Sequence, residues 1–119
     1  MACDETVYTN IDTATSADPD SFNDGMHDQW FVVDGPSRFL SASTCDPFTD
    51  LNTVVEVLTG ECSNLRRVGY SDNDPGCTAF PLASNVSWVG NLGTTYRIRV
   101  RPQLNTMTIG RYALKLTCG

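Results

Sequence analysis

The sequence predicts an all-β domain: a two-sheet antiparallel β-sandwich, jelly-roll-like, with about eight strands and disulfide braces. Three observations support this fold. Short runs of strand-forming residues recur along the chain, and turn residues separate them at fairly regular intervals. No amphipathic run reaches the length of a helix. Five cysteines stand in 119 residues without a Cys-x-x-Cys pair, which favours disulfides over a zinc site.

The first four candidate strands cover residues 5–10, 29–33, 38–44 and 53–59. They contain the β-branched and aromatic residues that fit a pleated, half-buried surface. An Asp-Gly-Pro breaker separates the second strand from the third, and a Gly-Glu pair ends the fourth. These breakers set the boundaries because Gly and Pro interrupt the regular pairing of strands.

The last four candidate strands cover residues 65–70, 85–89, 95–101 and 111–117, and an Asp-Pro-Gly turn and isolated glycines separate them. The last two alternate most clearly, so their apolar side chains should face the core. By the same alternation, three arginines should face the solvent as a cationic stripe. They are Arg97, Arg99 and Arg101. Eight short strands with one buried face each indicate two stacked sheets.

The cysteine content also indicates a compartment. Disulfides persist in oxidising surroundings, so we expect an extracellular or cell-surface location. No apolar run is long enough to span a membrane, and no signal peptide precedes Cys3. We therefore interpret residues 1–119 as a single accessory or binding domain excised from a larger secreted protein, with Met1 supplied for expression.

Charge and motif content exclude several function classes. The net charge is −6, and eleven of the fourteen acids are Asp. Nucleic acid requires a basic face, so we expect no such partner, and we expect no membrane insertion. No Gly-x-Ser-x-Gly, His-Glu-x-x-His, P-loop or dinucleotide fingerprint is present. Histidine-dependent catalysis would rest on His27 alone, so we expect no enzyme.

Six short motifs follow one another across most of the chain. They are DQWFVV (28–33), STC with NTVVEV (43–45 and 52–57), TGEC (59–62), SDND with a following cysteine (71–77), GTTYRIRV (93–100) and GRYALKL (110–116). Their order and spacing resemble those of pre-peptidase C-terminal (PPC) domains, bacterial-type modules with eukaryotic and algal relatives on secreted proteins. The corresponding family patterns are D-x-W/Y-aromatic, S-T-C…D-T-V-L-x-V, x-G-x-C, N-D-D…C, G-T-x-Y-x-I-x-V and G-x-Y-x-L-x-V.

The resemblance implies a β-sandwich accessory domain of a secreted protease or surface protein, without catalysis of its own. Some similar domains bind collagen, carbohydrate or calcium. The chain departs from the family pattern at two positions. Asn52 stands where the family often has Asp, which removes one carboxylate from a metal site. Tyr70 stands where disulfide-rich relatives often have a cysteine, so Cys62 lacks its usual partner.

Five cysteines leave at least one thiol unpaired or intermolecular. We favour Cys3–Cys118, which would tie the two terminal strands, and Cys45–Cys77, which would tie an acidic turn to an oxygen-rich loop. Cys62 would then be free. The competing pattern is Cys62–Cys77 with Cys45 free, and both patterns stay open.

Oxygen-bearing side chains cluster where the fourth strand begins and where the fifth ends. Antiparallel neighbours place these two positions at the same end of the sandwich. A hard cation there would relieve repulsion among four aspartates, and calcium, which binds several carboxylate and amide oxygens at once, is the cofactor we expect. The candidate ligands are Asp46, Asp50, Asn52, Asp72, Asn73 and Asp74.

Two further features are candidate ligand sites. The arginine stripe offers the bidentate geometry that suits sulfated or carboxylated glycans, and Trp88, if exposed, would be a stacking platform for a sugar. The function we expect is a non-catalytic extracellular binding or adhesion module. Its partners would be an extracellular polysaccharide or protein matrix and the rest of the parent protein. The alternatives are a carbohydrate-binding module for anionic glycans and a purely structural spacer.

Overall fold

A computed structural model describes residues 1–10, 28–61, 63–102 and 110–119. These residues form eight β-strands and no helix, so they contain none long and apolar enough to cross a membrane. The predicted all-β class and strand number are confirmed, and every strand end lies within one residue of its predicted position. In chain order the strands are β1 (Thr6–Asn10), β2 (Gln29–Asp34), β3 (Phe39–Ser43), β4 (Thr53–Thr59), β5 (Arg66–Ser71), β6 (Asn85–Val89), β7 (Thr95–Pro102) and β8 (Arg111–Cys118).

The strands form two antiparallel four-stranded sheets, with the orders β1-β8-β3-β6 and β2-β7-β4-β5. Consecutive strands change sheet at every step except between β4 and β5, which form a hairpin. This alternation carries the chain back and forth across the sandwich and is the arrangement of a jelly roll. The edge strands β5 and β6 belong to opposite sheets and contact each other along one side of the sandwich.

The hydrophobic core lies between the two sheets. The apolar side chains of β7 and β8 face it, as their alternation predicted, and the strands of both sheets add further members. Burial of this apolar surface is the main favourable term in the free energy of folding. The core residues of β7 and β8 are Tyr96, Ile98, Val100, Tyr112, Leu114 and Leu116.

The central strands β7 and β4 of the sheet β2-β7-β4-β5 are largely buried on their outer face as well. Arg99 is 2% exposed and Arg101 is 8% exposed, so the expected solvent-facing stripe is wrong at both positions. The physical reason lies in β4, which is apolar on both faces and buried along its length up to Leu58. A strand of this kind requires cover on both faces, and its outward-facing Glu56 meets the arginines of β7.

Glu56 is the centre of an ion-pair cluster on this outer face. Its Oε1 accepts hydrogen bonds from Arg99 Nη1 at 3.3 Å and from Arg101 Nε at 3.1 Å. Its Oε2 lies 2.9 Å from Arg67 Nη2, a close ionic contact without hydrogen-bond alignment. Arg99 Nε also donates to Asp28 Oδ2 at 2.9 Å. Removing one member would leave a buried charge uncompensated, so these arginines serve the fold rather than a ligand.

The loops gather at the two ends of the sandwich, and each end carries a disulfide. The acidic end is formed by the β3–β4 and β5–β6 loops, which Cys45–Cys77 joins. The cleft end is formed by the β2–β3, β4–β5 and β6–β7 turns. Cys3–Cys118 lies at the same end as these turns, because the chain after Cys118 pairs with the start of β3. Both favoured cysteine pairs are therefore present in the structure.

Candidate binding sites at the two ends of the sandwich

A buried network of hydroxyl groups lies beneath the acidic end and joins its two loops. Thr44 Oγ1 and Thr53 Oγ1 are 2.8 Å apart, and Ser84 N donates to Thr44 Oγ1 at 2.8 Å. Ser84 Oγ lies 2.6 Å from the carbonyl oxygens of both Thr53 and Asp72. The start of β4 and the end of β5 therefore meet at one end of the sandwich, as the antiparallel argument predicted.

Three carboxylates of the acidic end are engaged with the protein itself. Asp46 Oδ1 and Asp74 Oδ1 each accept the backbone N–H two residues further along, at 2.8 and 3.1 Å, as Asp commonly does in turns. Asp50 Oδ1 accepts the Arg111 N–H at 2.8 Å, and the Arg111 guanidinium lies 3.8 Å from Asp50 Oδ2. These carboxylates hold the loops in shape.

The other three candidate ligands are placed differently. Asn73 is exposed, Asn52 is half-buried, and Asp72 contributes its backbone carbonyl to the hydroxyl network. Within the described ranges, no group of three or more His, Cys, Asp or Glu side chains is arranged to hold a metal ion. The loops meet, but their side chains do not fit an assembled cation site, and calcium binding stays a prediction.

Tyr112 anchors the core near the acidic end. Its hydroxyl donates to Gln29 Oε1, across the two sheets. Burial raises the pKa of the Tyr112 phenol above its ordinary value, because the phenolate would lose its hydration in the core. Tyr112 therefore stays neutral at any pH near neutrality and acts as a structural hydrogen-bond donor.

The cleft end opens into the space between the sheets. A cleft of about 430 Å³ lies where the edge strands β5 and β6 diverge, between the β4–β5 and β6–β7 turns. A smaller cavity of about 240 Å³ adjoins it along the β4–β5 turn. Residues that line the cleft include Thr59, Arg66, Ser87, Trp88, Asn91 and Tyr96.

The two sheets are close together at one end of β5 and apart at the other. A Cβ on Gly69 would lie 2.6 Å from Val86 Cγ2, so a glycine is needed for this close approach. Towards the cleft, the large rings of Trp88 and Tyr96 fill the space between the sheets, with their centroids 5.8 Å apart. The cleft opens beyond this pair.

A β-bulge in β5 determines which side chains face the cleft. The pairing of β5 with β4 shifts midway along the strand and leaves Val68 as the extra residue. Arg66 therefore stands opposite Thr59, on the face that lines the cleft. Arg67 stands opposite Leu58, on the outer face with the ion-pair cluster. Bulges redirect side chains in this way and are frequent beside functional sites.

The β6–β7 turn forms the opposite wall of the cleft and is held by hydrogen bonds. Gly35 N donates to Thr94 O at 2.7 Å, and the Tyr96 hydroxyl accepts the Asn91 N–H at 2.9 Å. A Cβ on Gly35 would lie 2.3 Å from Asn91 O, so the turn packs directly on backbone. The wall is formed before any ligand arrives, which lowers the ordering cost of binding.

Arg66 is the one charged side chain among the described residues that line the cleft. It is exposed, and it makes no ion pair or side-chain hydrogen bond within the part of the chain that the structure describes. By contrast, Arg67, Arg99, Arg101 and Arg111 each pair with a carboxylate. The cleft therefore presents an uncompensated positive charge on a domain whose net charge is −6.

The predicted stacking platform takes a different form from the one expected. Trp88 is only 6% exposed and packs against Tyr96, so it offers no open ring face on the surface. It nevertheless lines the cleft, and its Nε1 has no hydrogen-bond acceptor among the described residues. Trp88 is therefore part of the floor of a cavity instead of a flat platform.

The arginine stripe does not form an open surface. Arg97 is half-buried between its cross-strand neighbours Val32 and Leu58, and within the described ranges its Nε has no hydrogen-bond acceptor. The other two members belong to the buried ion-pair cluster. Two further residues considered above, His27 and Cys62, lie outside the described residues.

Sequence reasoning missed most of the cleft. Thr59, Ser87, Asn91 and Thr94 are ordinary polar residues, and Arg66 belongs to no motif. The available signal was the positions of the glycines. Glycines follow β4 and β6, and the sandwich prediction places these two turns at the same end.

Comparisons of the chain with models of protein families, with curated proteins and with solved structures find no match. The resemblance to PPC domains therefore stays a prediction carried by the six motifs. Function is therefore inferred from the geometry of the acidic end and of the cleft end.

Proposed function

We propose that this domain is a non-catalytic extracellular binding module that attaches a larger secreted or surface protein to a polymer or protein matrix, and that the cleft is its binding site. The observation that carries the proposal is the cleft itself. It combines an aromatic floor of Trp88 and Tyr96, polar walls and one uncompensated cation, Arg66. Small-molecule sites in proteins also combine aromatic or apolar groups with placed polar groups, and five of the nine described residues that line this cleft are polar.

Rigidity supports the same proposal. Two disulfides tie the chain at opposite ends of the sandwich, and they are compatible with an oxidising location outside the cell. The β6–β7 turn is fixed by hydrogen bonds to Gly35 and Tyr96. A preformed site loses little conformational entropy on binding, which suits a module whose role is attachment.

The test is a binding array of extracellular polysaccharides and matrix proteins, probed with the wild-type domain and with a cleft-filling variant, Thr59→Trp. Thr59 lines both cavities, so an indole at this position would occupy the binding space. Thr59→Phe is a second filled variant at the same position. Thr117→Tyr, on the exposed face of β8, is the matched control because it adds an aromatic ring away from the cleft.

We expect the wild-type domain to bind one class of array member, with binding lost in the folded Thr59→Trp or Thr59→Phe variant and retained in Thr117→Tyr. Each spot is read with calcium and after EDTA, and binding through the cleft should survive EDTA. An array hit that both filled variants retain would place the binding site elsewhere. A silent array, together with misfolding of the parent protein on deletion of the domain, would identify a structural spacer.

A further inference from the structure

We infer that the cleft recognises a uronic acid unit, the carboxylate-bearing sugar of acidic polysaccharides, and that Arg66 holds its carboxylate. This inference rests on the proposed function, since it names the ligand of the same cleft. It differs from recognition of an anionic glycan by the arginine stripe, because Arg99 and Arg101 are buried and paired.

The charge pattern of the cleft favours an anion. Arg66 is the only charged residue among its described lining residues, and no carboxylate lines either cavity. The nearest acid along the chain, Glu61 on the β4–β5 turn, is not part of the lining of either one. A cationic ligand would therefore meet repulsion without compensation, whereas a carboxylate would meet a guanidinium with its donors available. Arginine presents a planar fork that matches a carboxylate in two parallel hydrogen bonds.

The bulge in β5 makes this placement specific. The adjacent arginines Arg66 and Arg67 would exchange faces if Val68 were paired in regular register. In the structure, Arg67 forms an ion pair with Glu56 on the outer face, while Arg66 is directed to the cleft. One irregular residue thus divides two neighbouring cations between a structural ion pair and an open site.

The remaining lining suits a hydroxyl-rich ring. Thr59 and Thr94 bring hydroxyl groups, which donate and accept, and Asn91 brings an amide with both functions. A sugar hydroxyl also both donates and accepts, so these groups can pair with it in either sense. The exposed edges of Trp88 and Tyr96, which are otherwise buried, give the apolar face of a sugar ring a small surface to contact at the base of the cleft.

The size of the cleft limits the ligand further. Its volume of about 430 Å³ lies near the lower end of the range for small-molecule sites in proteins. A space of this size accommodates one or two sugar rings and excludes a folded partner. The adjoining cavity of about 240 Å³, which shares Thr59 and Arg66, leaves room for the polysaccharide to continue past the recognised sugar unit.

The experiment is an NMR titration of the ¹⁵N-labelled domain with four probes: sodium glucuronate, glucose, sodium acetate and glucose 6-sulfate. We expect glucuronate to shift the amide signals of Thr59 and Asn91 and the indole signal of Trp88. Glucose and acetate should each bind at least about tenfold more weakly, because each offers only half of the recognised chemistry, and a charged hydrogen bond is worth about 1.5–3 kcal/mol. Glucose 6-sulfate should bind more weakly than glucuronate.

Three variants assign the effect to one side chain. Arg66→Gln should weaken glucuronate binding by about tenfold or more, and Arg66→Lys by a smaller factor, because lysine keeps the charge without the fork. Arg38→Gln is the matched control, because Arg38 is exposed on a turn at the same end but does not line the cleft. The affinity of this variant for glucuronate should stay within about twofold of the wild-type value. All these positions are exposed, and the amide spectrum of each variant verifies its fold.

Each outcome supports or overturns the assignment of a uronic acid to the cleft. Equal binding of glucose and glucuronate, or an Arg66→Gln variant that matches wild type, would overturn the inference. Acetate that binds as well as glucuronate would remove the sugar, and tighter binding of glucose 6-sulfate would remove the carboxylate. If all four probes fail while the array still shows a ligand sensitive to Thr59→Trp, the inference fails and the proposed function stands. If the array is silent as well, both fail.

Discussion

The two ends of this sandwich show opposite relations between composition and binding capacity. The acidic end holds all six candidate metal ligands, yet three of its carboxylates are already bound to backbone N–H groups or to Arg111. The cleft end holds a single charged lining residue, Arg66, and that residue has no partner among the described ones. Polar groups that are already satisfied stabilise loops, whereas unsatisfied ones beside a cavity are available to a ligand.

Each end of the sandwich has a disulfide, and the two disulfides act on different parts of the chain. At the acidic end, Cys45–Cys77 ties two long loops, whose buried apolar side chains include Leu51 and Ala83. At the cleft end, Cys3–Cys118 ties the chain termini beside the start of β3. The first brace acts on loops and the second on strand ends, so their removal should have different consequences.

The largest expected effect is the loss of a disulfide. Cys3→Ala with Cys118→Ala should cost about 5 kcal/mol of unfolding free energy, and Cys45→Ala with Cys77→Ala about 4 kcal/mol, because the bridges span 115 and 32 residues and a longer loop restricts the unfolded chain more. Urea denaturation of each double variant measures both values. If the shorter bridge proves the more important, native packing at the acidic end outweighs chain entropy.

The next effect comes from the buried hydroxyl network. Ser84→Ala should destabilise the domain by about 1–3 kcal/mol, because the Thr53 hydroxyl loses an acceptor and one of the two carbonyl oxygens beside Ser84 Oγ loses its donor. Ser87→Ala is the matched control: the same change three residues further along the chain removes an exposed hydroxyl at the cleft end. Its effect should be below about 0.5 kcal/mol. Equal effects of the two changes on thermal unfolding would contradict the contrast between the ends.

A pH effect distinguishes the packed core near the acidic end. The pKa of Tyr112 is raised on folding, so the folded state keeps its proton where the unfolded phenol ionises. The contribution of this group is complete below about pH 10, the ordinary tyrosine pKa, and is lost as the pH rises further, by about 1.4 kcal/mol per pH unit. Unfolding free energies measured between pH 9 and 11 should fall more steeply for wild type than for Tyr112→Phe. Parallel curves would show that this phenol does not control alkaline stability.

The strands and the meeting of the acidic loops follow from local patterns that the sequence displays directly, whereas only the structure decides that Cys77 pairs with Cys45. Alternation in 95–101 and 111–117 identified the inner faces, and the turn residues marked the ends of the strands. The error over Arg99 and Arg101 also had a visible signal. The run Val54-Val55-Glu56-Val57-Leu58 has no polar face, which indicates a strand covered on both sides. Arginines opposite such a strand should pair with its one acid.

The cleft was not predictable in the same way, because it depends on two features that leave no local pattern. The bulge at Val68 reverses the faces of Arg66 and Arg67, and a one-residue change of register is invisible without the partner strand. The close approach of Gly69 to Val86 decides where the sheets part. The first depends on the pairing with β4 and the second on contact with the opposite sheet, so both emerge only from the packed structure.

The smallest expected effect concerns calcium. An ion at the acidic end would compete with the turns that Asp46 and Asp74 cap through Oδ1 and with the Arg111 contacts of Asp50. Each lost interaction costs about 1 kcal/mol, which offsets much of the gain from the ion. We therefore expect millimolar calcium added after EDTA to move the melting temperature by less than about 2 °C.

A much larger rise of the melting temperature would show that calcium binds at the acidic end, provided that Asp74→Asn abolishes the rise and Asp34→Asn does not. Asp34 is the appropriate control because it is exposed at the cleft end and engages one hydroxyl, on Thr95. That outcome would mean that calcium assembles its own ligands by rearranging the loops, so that satisfied carboxylates are no guide to what the acidic end can bind. A flat response, with glucuronate shifting the cleft signals in the same samples, would instead assign binding to the cleft, whose described lining has a single charged residue.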